Sequence, residues 1–238
     1  MREKNSFFRF KQFTVRQARS AMKVCTDSCL LGAVAQPPLH GRILDIGTGT
    51  GLLSLMLAQK TEAMITAVEI DPEAAKEAAA NFQDSPWAGR LQVLRASFQD
   101  YVKTSGTRFD FIISNPPFFE DNLLTGNPHK DLALHSTALS LKELAEGVAA
   151  LLSPRGRFTY MLPVYESSVL LGHLKRYGIF ADRIDTVYHR EGNKALREIV
   201  RCGFTKKEAE RDSIIIRSAQ NQYTERFREL LEPYYLIF

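Results

Sequence analysis

Asp45-Ile46-Gly47-Thr48-Gly49-Thr50-Gly51 sets one carboxylate and three alternating glycines where an apolar run gives way to a helical pattern. Glycine takes positive-φ turns and lets backbone approach a ligand with no Cβ in the way. A carboxylate just before such a loop can receive a cationic group. Glu69, closing Ala67-Val68-Glu69, follows the last of these glycines by eighteen residues. An acid at the tip of a second strand can accept hydrogen bonds from both ribose hydroxyls of an adenosine. Taken singly, the loop is an ordinary turn and the acid an ordinary helix cap; at this spacing they point to an adenosine cofactor. The dinucleotide fingerprint G-x-G-x-x-G is not met, because Leu52 stands where its third glycine belongs.

A second cluster is Ser114-Asn115-Pro116-Pro117-Phe118-Phe119. Proline ends strands and asparagine favours turns, so a plain strand exit is one reading. The chemistry offers another. Asn115 precedes proline and is held extended, and the prolines have locked φ and no N–H. The Asn115 side-chain oxygen and the Pro116 carbonyl can then accept both hydrogens of one exocyclic amino group. Such nitrogens are poor nucleophiles because the lone pair is delocalised, so fixed acceptors favour the pyramidal transition state. Phe118 supplies a face for a planar group to stack on.

The elements that must carry these tips are short apolar runs alternating with helical periodicity. Strands are expected at 42–46, 64–70, 91–96, 109–114 and 157–162, and helices at 52–60, 72–83 and 137–152. Asp71-Pro72 reads as an N-cap followed by proline at the first helical position. Repeated β-α units imply an α/β fold, a mostly parallel twisted sheet with helices on both faces. Further strands are expected at 184–188, 198–204 and 213–217. They lack a long helix between the last two, and an antiparallel C-terminal edge strand accounts for that. A last amphipathic helix is expected at 224–231. Residues 1–40 read as a basic N-terminal extension packing on one domain, 41–238.

The charge is concentrated at the start of the chain. Residues 1–23 carry seven basic side chains, among them Lys11, Arg16, Arg19 and Lys23, against Glu3; they sum to +6 of a net +4, and the remainder to −2. Phe7, Phe8, Phe10 and Phe13 are interleaved with them. Such an arm suits a polyanion, with phosphates drawn to the cations and rings stacked on bases; alternatively the rings dock on the core. No apolar run approaches the ~18 residues of a membrane span. The N-terminus has no export-type apolar segment, and three cysteines are too few for a disulfide scaffold. Cys25 and Cys29 have no histidine nearby, so no metal is expected, and a cytoplasmic setting is.

The glycine loop resembles motif I of class I S-adenosylmethionine-dependent methyltransferases, and Glu69 matches their acidic ribose ligand. Asn115-Pro116-Pro117-Phe118 resembles the (D/N/S)-P-P-(Y/F/W) motif of enzymes that methylate planar-group nitrogens. Phe10-Lys11-Gln12-Phe13, the stretch Met22 to Ala33, Ser85-Pro86-Trp87 and the tail Asn221-Gln222-Tyr223 to Leu236 are similar to the bacterial tRNA(Val) adenine-N6 methyltransferase family over nearly the whole chain. This resemblance implies a Rossmann-like methyltransferase fold, S-adenosyl-L-methionine as cofactor, tRNA as partner and a monomer. It assigns Asp45, Gly47, Gly49, Gly51, Glu69, Ser97, Phe98 and Asn115 to the cofactor, and Asn115, Pro116 and Phe118 to catalysis. Phe118, Lys11, Arg16, Arg19 and Lys23 would face the RNA. Cys25, Ser97 and Phe118 stand where that family commonly has glycine, aspartate and tyrosine. The alternatives kept by the sequence are guanine-N2 methylation of ribosomal RNA and N5 methylation of a protein glutamine. Thr26 and Asp27 either border the cofactor pocket or cap a helix over 28–35, and Arg190, Lys194 and Arg197 either extend a basic rim or are solvated surface.

Overall fold

The computed structural model describes residues 6–20, 23–116 and 139–238. In chain order the elements are β1 (Phe7–Arg9), β2 (Thr14–Arg16), α1 (Thr26–Val34), β3 (Arg42–Ile46), α2 (Leu52–Ala58), β4 (Met64–Glu69), α3 (Pro72–Gln83), β5 (Leu91–Arg95), α4 (Phe98–Thr104) and β6 (Phe109–Ser114). After them come α5 (Leu141–Leu151), β7 (Leu152–Leu162), α6 (Val164–Arg176), β8 (Phe180–Arg190), β9 (Arg197–Gly203), β10 (Glu210–Arg217) and α7 (Glu225–Leu231). β1 and β2 form a small antiparallel hairpin; the other eight strands make one sheet in the order β10-β8-β9-β7-β6-β3-β4-β5.

Successive side chains of a strand point to opposite faces, which sorts the core into two layers. Ile43 joins the cluster under α1, α2, α3 and α7, while Leu44 and Ile46 join the one under α4, α5 and α6. Both faces of the central strands are therefore apolar, as a doubly covered parallel sheet requires. Helix starts follow local chemistry. Asp71 Oδ1 accepts the N–H of Glu73 at 3.0 Å and of Ala74 at 2.7 Å, with Pro72 in the first turn. Ser140 and Glu143 close a reciprocal capping box on α5.

The sheet is mostly parallel, as expected, but its antiparallel member is not at the edge. β9 lies between β7 and β8 and runs antiparallel to both, whereas the edge strand β10 is parallel to β8. Burial explains the arrangement. Ile199 is 1% exposed on one face and Val200 and Cys202 are fully buried on the other, so β9 needs cover on both sides. β10 opens with exposed Glu210, Arg211 and Asp212, charges that blunt an edge strand.

Segments 7–16 and 26–35 contribute side chains to this core. Phe10, Phe13 and Val15 are buried together with Cys29, Leu30 and Leu31 of α1. Phe10 stacks on Phe13 at 4.5 Å, and Phe13 meets Trp87 edge-on at 5.8 Å. Of the four rings expected to stack on bases or dock on the core, these two are buried in it, the half-buried Phe8 packs against it, and Phe7 is exposed. The Lys60 ammonium donates to the carbonyls of Gly32, Ala33 and Ala35 at 2.6–2.8 Å and closes the C-terminal end of α1. Among the described residues no helix is long and apolar enough to cross a membrane.

Candidate active site

Strand register decides whether the two sequence clusters can meet. Ile46 pairs with Val68 on one side and Ser114 on the other, all in parallel strands. Gly47, Glu69 and Asn115 therefore leave the sheet at the same end, in the crevice where open α/β sheets bind ligands. The Ser114 hydroxyl, fully buried, donates to the Ile46 carbonyl at 3.0 Å and ties the two exits together.

Gly47, Gly49 and Gly51 all have positive φ (+70°, +56° and +84°), which explains the alternating pattern. A Cβ on Gly51 would sit 2.5 Å from the Phe82 ring, whereas one on Gly47 or Gly49 would meet no atom of the described residues within 4 Å. The first of these positions packs the loop; the other two keep space open. Gly49 N–H donates to Glu69 Oε2 at 2.8 Å, and Asp71 N–H to Glu69 Oε1 at 2.9 Å, so this 8%-exposed carboxylate is oriented by backbone.

Asp45 is fully buried. Its Oδ2 accepts the Thr48 hydroxyl at 2.6 Å, the Ser54 hydroxyl at 2.7 Å and the Ser54 N–H at 3.2 Å; its Oδ1 has no partner among the described residues. Burial pushes the carboxyl up from 3.8 to about 6, against the pull of the Thr48 and Ser54 hydrogen bonds. A buried acceptor with one oxygen unpaired marks a place for a donor from outside the chain.

At the tip, Pro116 is buried and Asn115 half-buried. The Asn115 amide nitrogen donates to Ser28 Oγ of α1 at 2.9 Å, across 87 residues of sequence. Pro117 and Phe118 lie outside the described residues, as does the stretch 120–136 with His135. Ser97 caps α4: its hydroxyl accepts the Asp100 N–H at 3.1 Å and donates to the Asp100 carboxylate at 2.8 Å. Phe98 is 5% exposed with its ring against Gly147 in the core, so only its main chain is available to a ligand.

The arm is bolted to α3. The Glu77 carboxylate accepts the N–H groups of Ala18, Arg19 and Ser20 at 2.7, 3.1 and 2.9 Å, and the Ser20 hydroxyl at 2.6 Å. Asn81 exchanges hydrogen bonds with the Arg16 backbone and donates to the Thr50 carbonyl at 2.8 Å, joining arm and glycine loop. Arg16 pairs with Asp84 at 2.7 Å and Arg19 with Glu73 at 3.2 Å. Lys11, Arg16 and Arg19 line a groove of about 1240 Å³ between the arm and α3, whose walls include neither the glycine loop nor Asn115. Lys23 is exposed and lies outside its walls.

Of the residues left open, Asp27 sits inside the first turn of α1 and pairs with Arg197 at 2.6 Å, and both are largely buried. Asp27 is therefore not the helix cap, and Arg197 is not rim. Cys25 occupies the cap position, and its side chain makes no capping hydrogen bond to the helix backbone. Sequence reasoning missed Ser28, Glu77 and Asn81. The last two carried a signal, a polar i,i+4 pair on the otherwise alanine- and phenylalanine-rich buried face of α3. Ser28 carried none, since its partner is distant in the chain.

Residues 18–143 match the methyltransferase small domain family. Among solved structures, a predicted O-methyltransferase from Agrobacterium tumefaciens shares the fold with a TM-score of 0.64 at 19% identity, over 87% of this chain and 96% of that one. A methyltransferase from Pyrococcus furiosus does so with a TM-score of 0.58 at 16% identity, over 82% and 90%. Fold and family thus define a methyltransferase, for which the sequence motifs imply S-adenosyl-L-methionine as cofactor. The chain is 44% identical over 235 residues to the tRNA1(Val) (adenine(37)-N6)-methyltransferase of Cytophaga hutchinsonii, covering 98% of each. It is 40% identical to that of Haemophilus influenzae, over 98% of this chain and 100% of the relative. The chain belongs to the tRNA1(Val) (adenine(37)-N6)-methyltransferase family.

The residues present fit the cofactor. Asp45 Oδ1 is a buried acceptor awaiting a donor, Glu69 stands pre-oriented at the strand tip, and Gly47 and Gly49 leave room that any side chain would fill.

Proposed function

We propose that this chain methylates the N6 amino group of an adenine in tRNA, adenine 37 of a valine tRNA. The observation that carries the reading is the register of Ile46 with Ser114, which sends the glycine loop and Asn115 out of the sheet side by side. When bound, S-adenosyl-L-methionine supplies a methyl group made electrophilic by its sulfonium. Asp45 and the glycine loop hold the cationic end of the cofactor, Glu69 takes the ribose hydroxyls, and the start of α4 at Ser97 and Phe98 borders the adenine. The Asn115 side-chain oxygen and the Pro116 carbonyl accept the two hydrogens of the target amino group. They draw its lone pair out of the ring and align it. Phe118 stacks on the target base, which must leave its helical or loop stack to arrive there. Lys11, Arg16, Arg19 and Lys23 hold RNA phosphates. The protein acts as a monomer without a metal, in the cytoplasm, where its three free cysteines stay reduced.

Transfer of labelled methyl to tRNA lacking the modification, followed by nucleoside analysis, tests this. Label in N6-methyladenosine at position 37 of valine tRNA is expected. Label in N2-methylguanosine, or in protein glutamine, overturns it.

A further inference from the structure

An asparagine amide has one accepting end and one donating end, and rotation by half a turn exchanges them. The role given to Asn115 needs the oxygen toward the substrate amino group; the reversed amide sets N–H against N–H. Strand geometry places the side chain but does not choose between the two orientations. Ser28 chooses. Its oxygen, 2.9 Å from Asn115 Nδ2, takes the donating end and turns the accepting end away from α1. Cys25 Sγ lies 3.2 Å from the same hydroxyl, a contact in which either group can donate.

The platform under Ser28 is rigid. Asp27, its neighbour, is clamped by Arg197 at 2.6 Å. Cys29, Leu30 and Leu31 are fully buried, and Lys60 holds the far end of the helix. We propose that Ser28 is a positioning residue for methyl transfer, acting through Asn115 by fixing which end of its amide faces the substrate. The inference rests on the reading of Asn115 as an acceptor for the target amino group.

The test compares Ser28→Ala and Ser28→Thr with the unaltered protein, using an unmodified valine tRNA transcript. Single-turnover rate, cofactor and tRNA dissociation constants and melting temperature are measured for each. Losing one orienting hydrogen bond is expected to slow Ser28→Ala roughly tenfold. Both dissociation constants should stay within about twofold, and Ser28→Thr, which keeps the hydroxyl, should recover most of the rate. A wild-type rate in Ser28→Ala overturns the proposal. So does a loss of cofactor affinity matching the loss of rate, or a threonine variant as slow as the alanine one, since those results describe a structural serine. Asn115→Ala separates the two layers of argument. If it turns over normally the role of Asn115 falls, whereas an inactive Asn115→Ala beside a normal Ser28→Ala removes the serine alone.

Discussion

The backbone N–H of Gly49 donates to the carboxylate of Glu69 at 2.8 Å. The two signals that the sequence places twenty residues apart are therefore one object, in which the turn orients the acid before any ligand arrives. Each carboxylate oxygen of Glu69 holds one backbone N–H and keeps a lone pair for an incoming hydroxyl.

The glycines should separate packing from binding. Gly51→Ala drives a Cβ to 2.5 Å from Phe82 at a φ of +84°, and is expected to cost about 2–4 kcal/mol of stability. Gly49→Ala meets no atom of the described residues within 4 Å, so its loss should be confined to the left-handed backbone, about 1–2 kcal/mol. Its cofactor affinity should nevertheless fall further than that of Gly51→Ala. Thermal unfolding beside titration calorimetry reads both; equal affinity losses would contradict the open cradle.

Asp45 should cost stability at neutral pH. Its folded value of about 6 lies above the ordinary 3.8, so between them the folded protein holds a proton that the unfolded chain has released. Stability from this group therefore falls as pH rises through that window. Asp45→Asn can place its amide oxygen at the three donors on Oδ2 and no longer titrates. Relative to the parent it should gain on the order of 2 kcal/mol between pH 4 and pH 7, read by urea unfolding, while losing cofactor affinity. A stability difference that does not move with pH would refute the buried, titrating carboxylate.

Removal of the Asn115 amide should separate binding from chemistry. Asn115→Ala is expected to lower the transfer rate by on the order of a hundred- to a thousandfold with cofactor affinity nearly unchanged. Calorimetry and a methyl-transfer assay check it together.

Glu77 carries the opposite pH sign. Burial raises its carboxyl, but the hydrogen bonds from Ser20, Arg19 and Ala18 prevail and hold it below the ordinary 4.5. Its contribution is present above that value and lost as pH falls through the folded one. Glu77→Gln sets an amide N–H₂ against the Ser20 N–H, and is expected to cost about 2 kcal/mol and to speed tryptic cleavage at Arg16 and Arg19. An unchanged cleavage rate would mean that the arm does not depend on this clasp.

Within the arm, Lys11 has no ion-pair partner among the described residues, whereas Arg16 and Arg19 are already paired. Lys11→Ala should flatten the salt dependence of tRNA binding by roughly 0.7–0.9 in log–log slope, one phosphate contact. An unaltered slope would take Lys11 off the RNA.

Much was legible where the cause is local. β3 stops at the glycine turn and β6 at Asn115-Pro116, and α3 covers 72–83 because Asp71 and Pro72 are a capping signal that needs no partner elsewhere. Helices α4 and α6 escaped notice, the first for its shortness and the second because β-branched and polar residues blur its apolar stripe. The hairpin of β1 and β2 is only three residues a side and is held by the tail, with Lys11 N–H on the Tyr234 carbonyl at 2.8 Å.

On its own, the order of residues determined a parallel α/β sheet, a glycine turn before a helix, an acid at the next strand tip and a proline-stiffened asparagine. All of these follow from φ/ψ preference, periodicity and side-chain chemistry within a few residues. Only the tertiary structure decided that β9 slips between β7 and β8, that Phe10 and Phe13 belong to the core, and that Ser28 holds Asn115. Those outcomes depend on which surfaces must be covered and which distant groups become neighbours once the chain is packed. Burial and long-range hydrogen bonding are properties of the assembled molecule, and no local window of the sequence contains them.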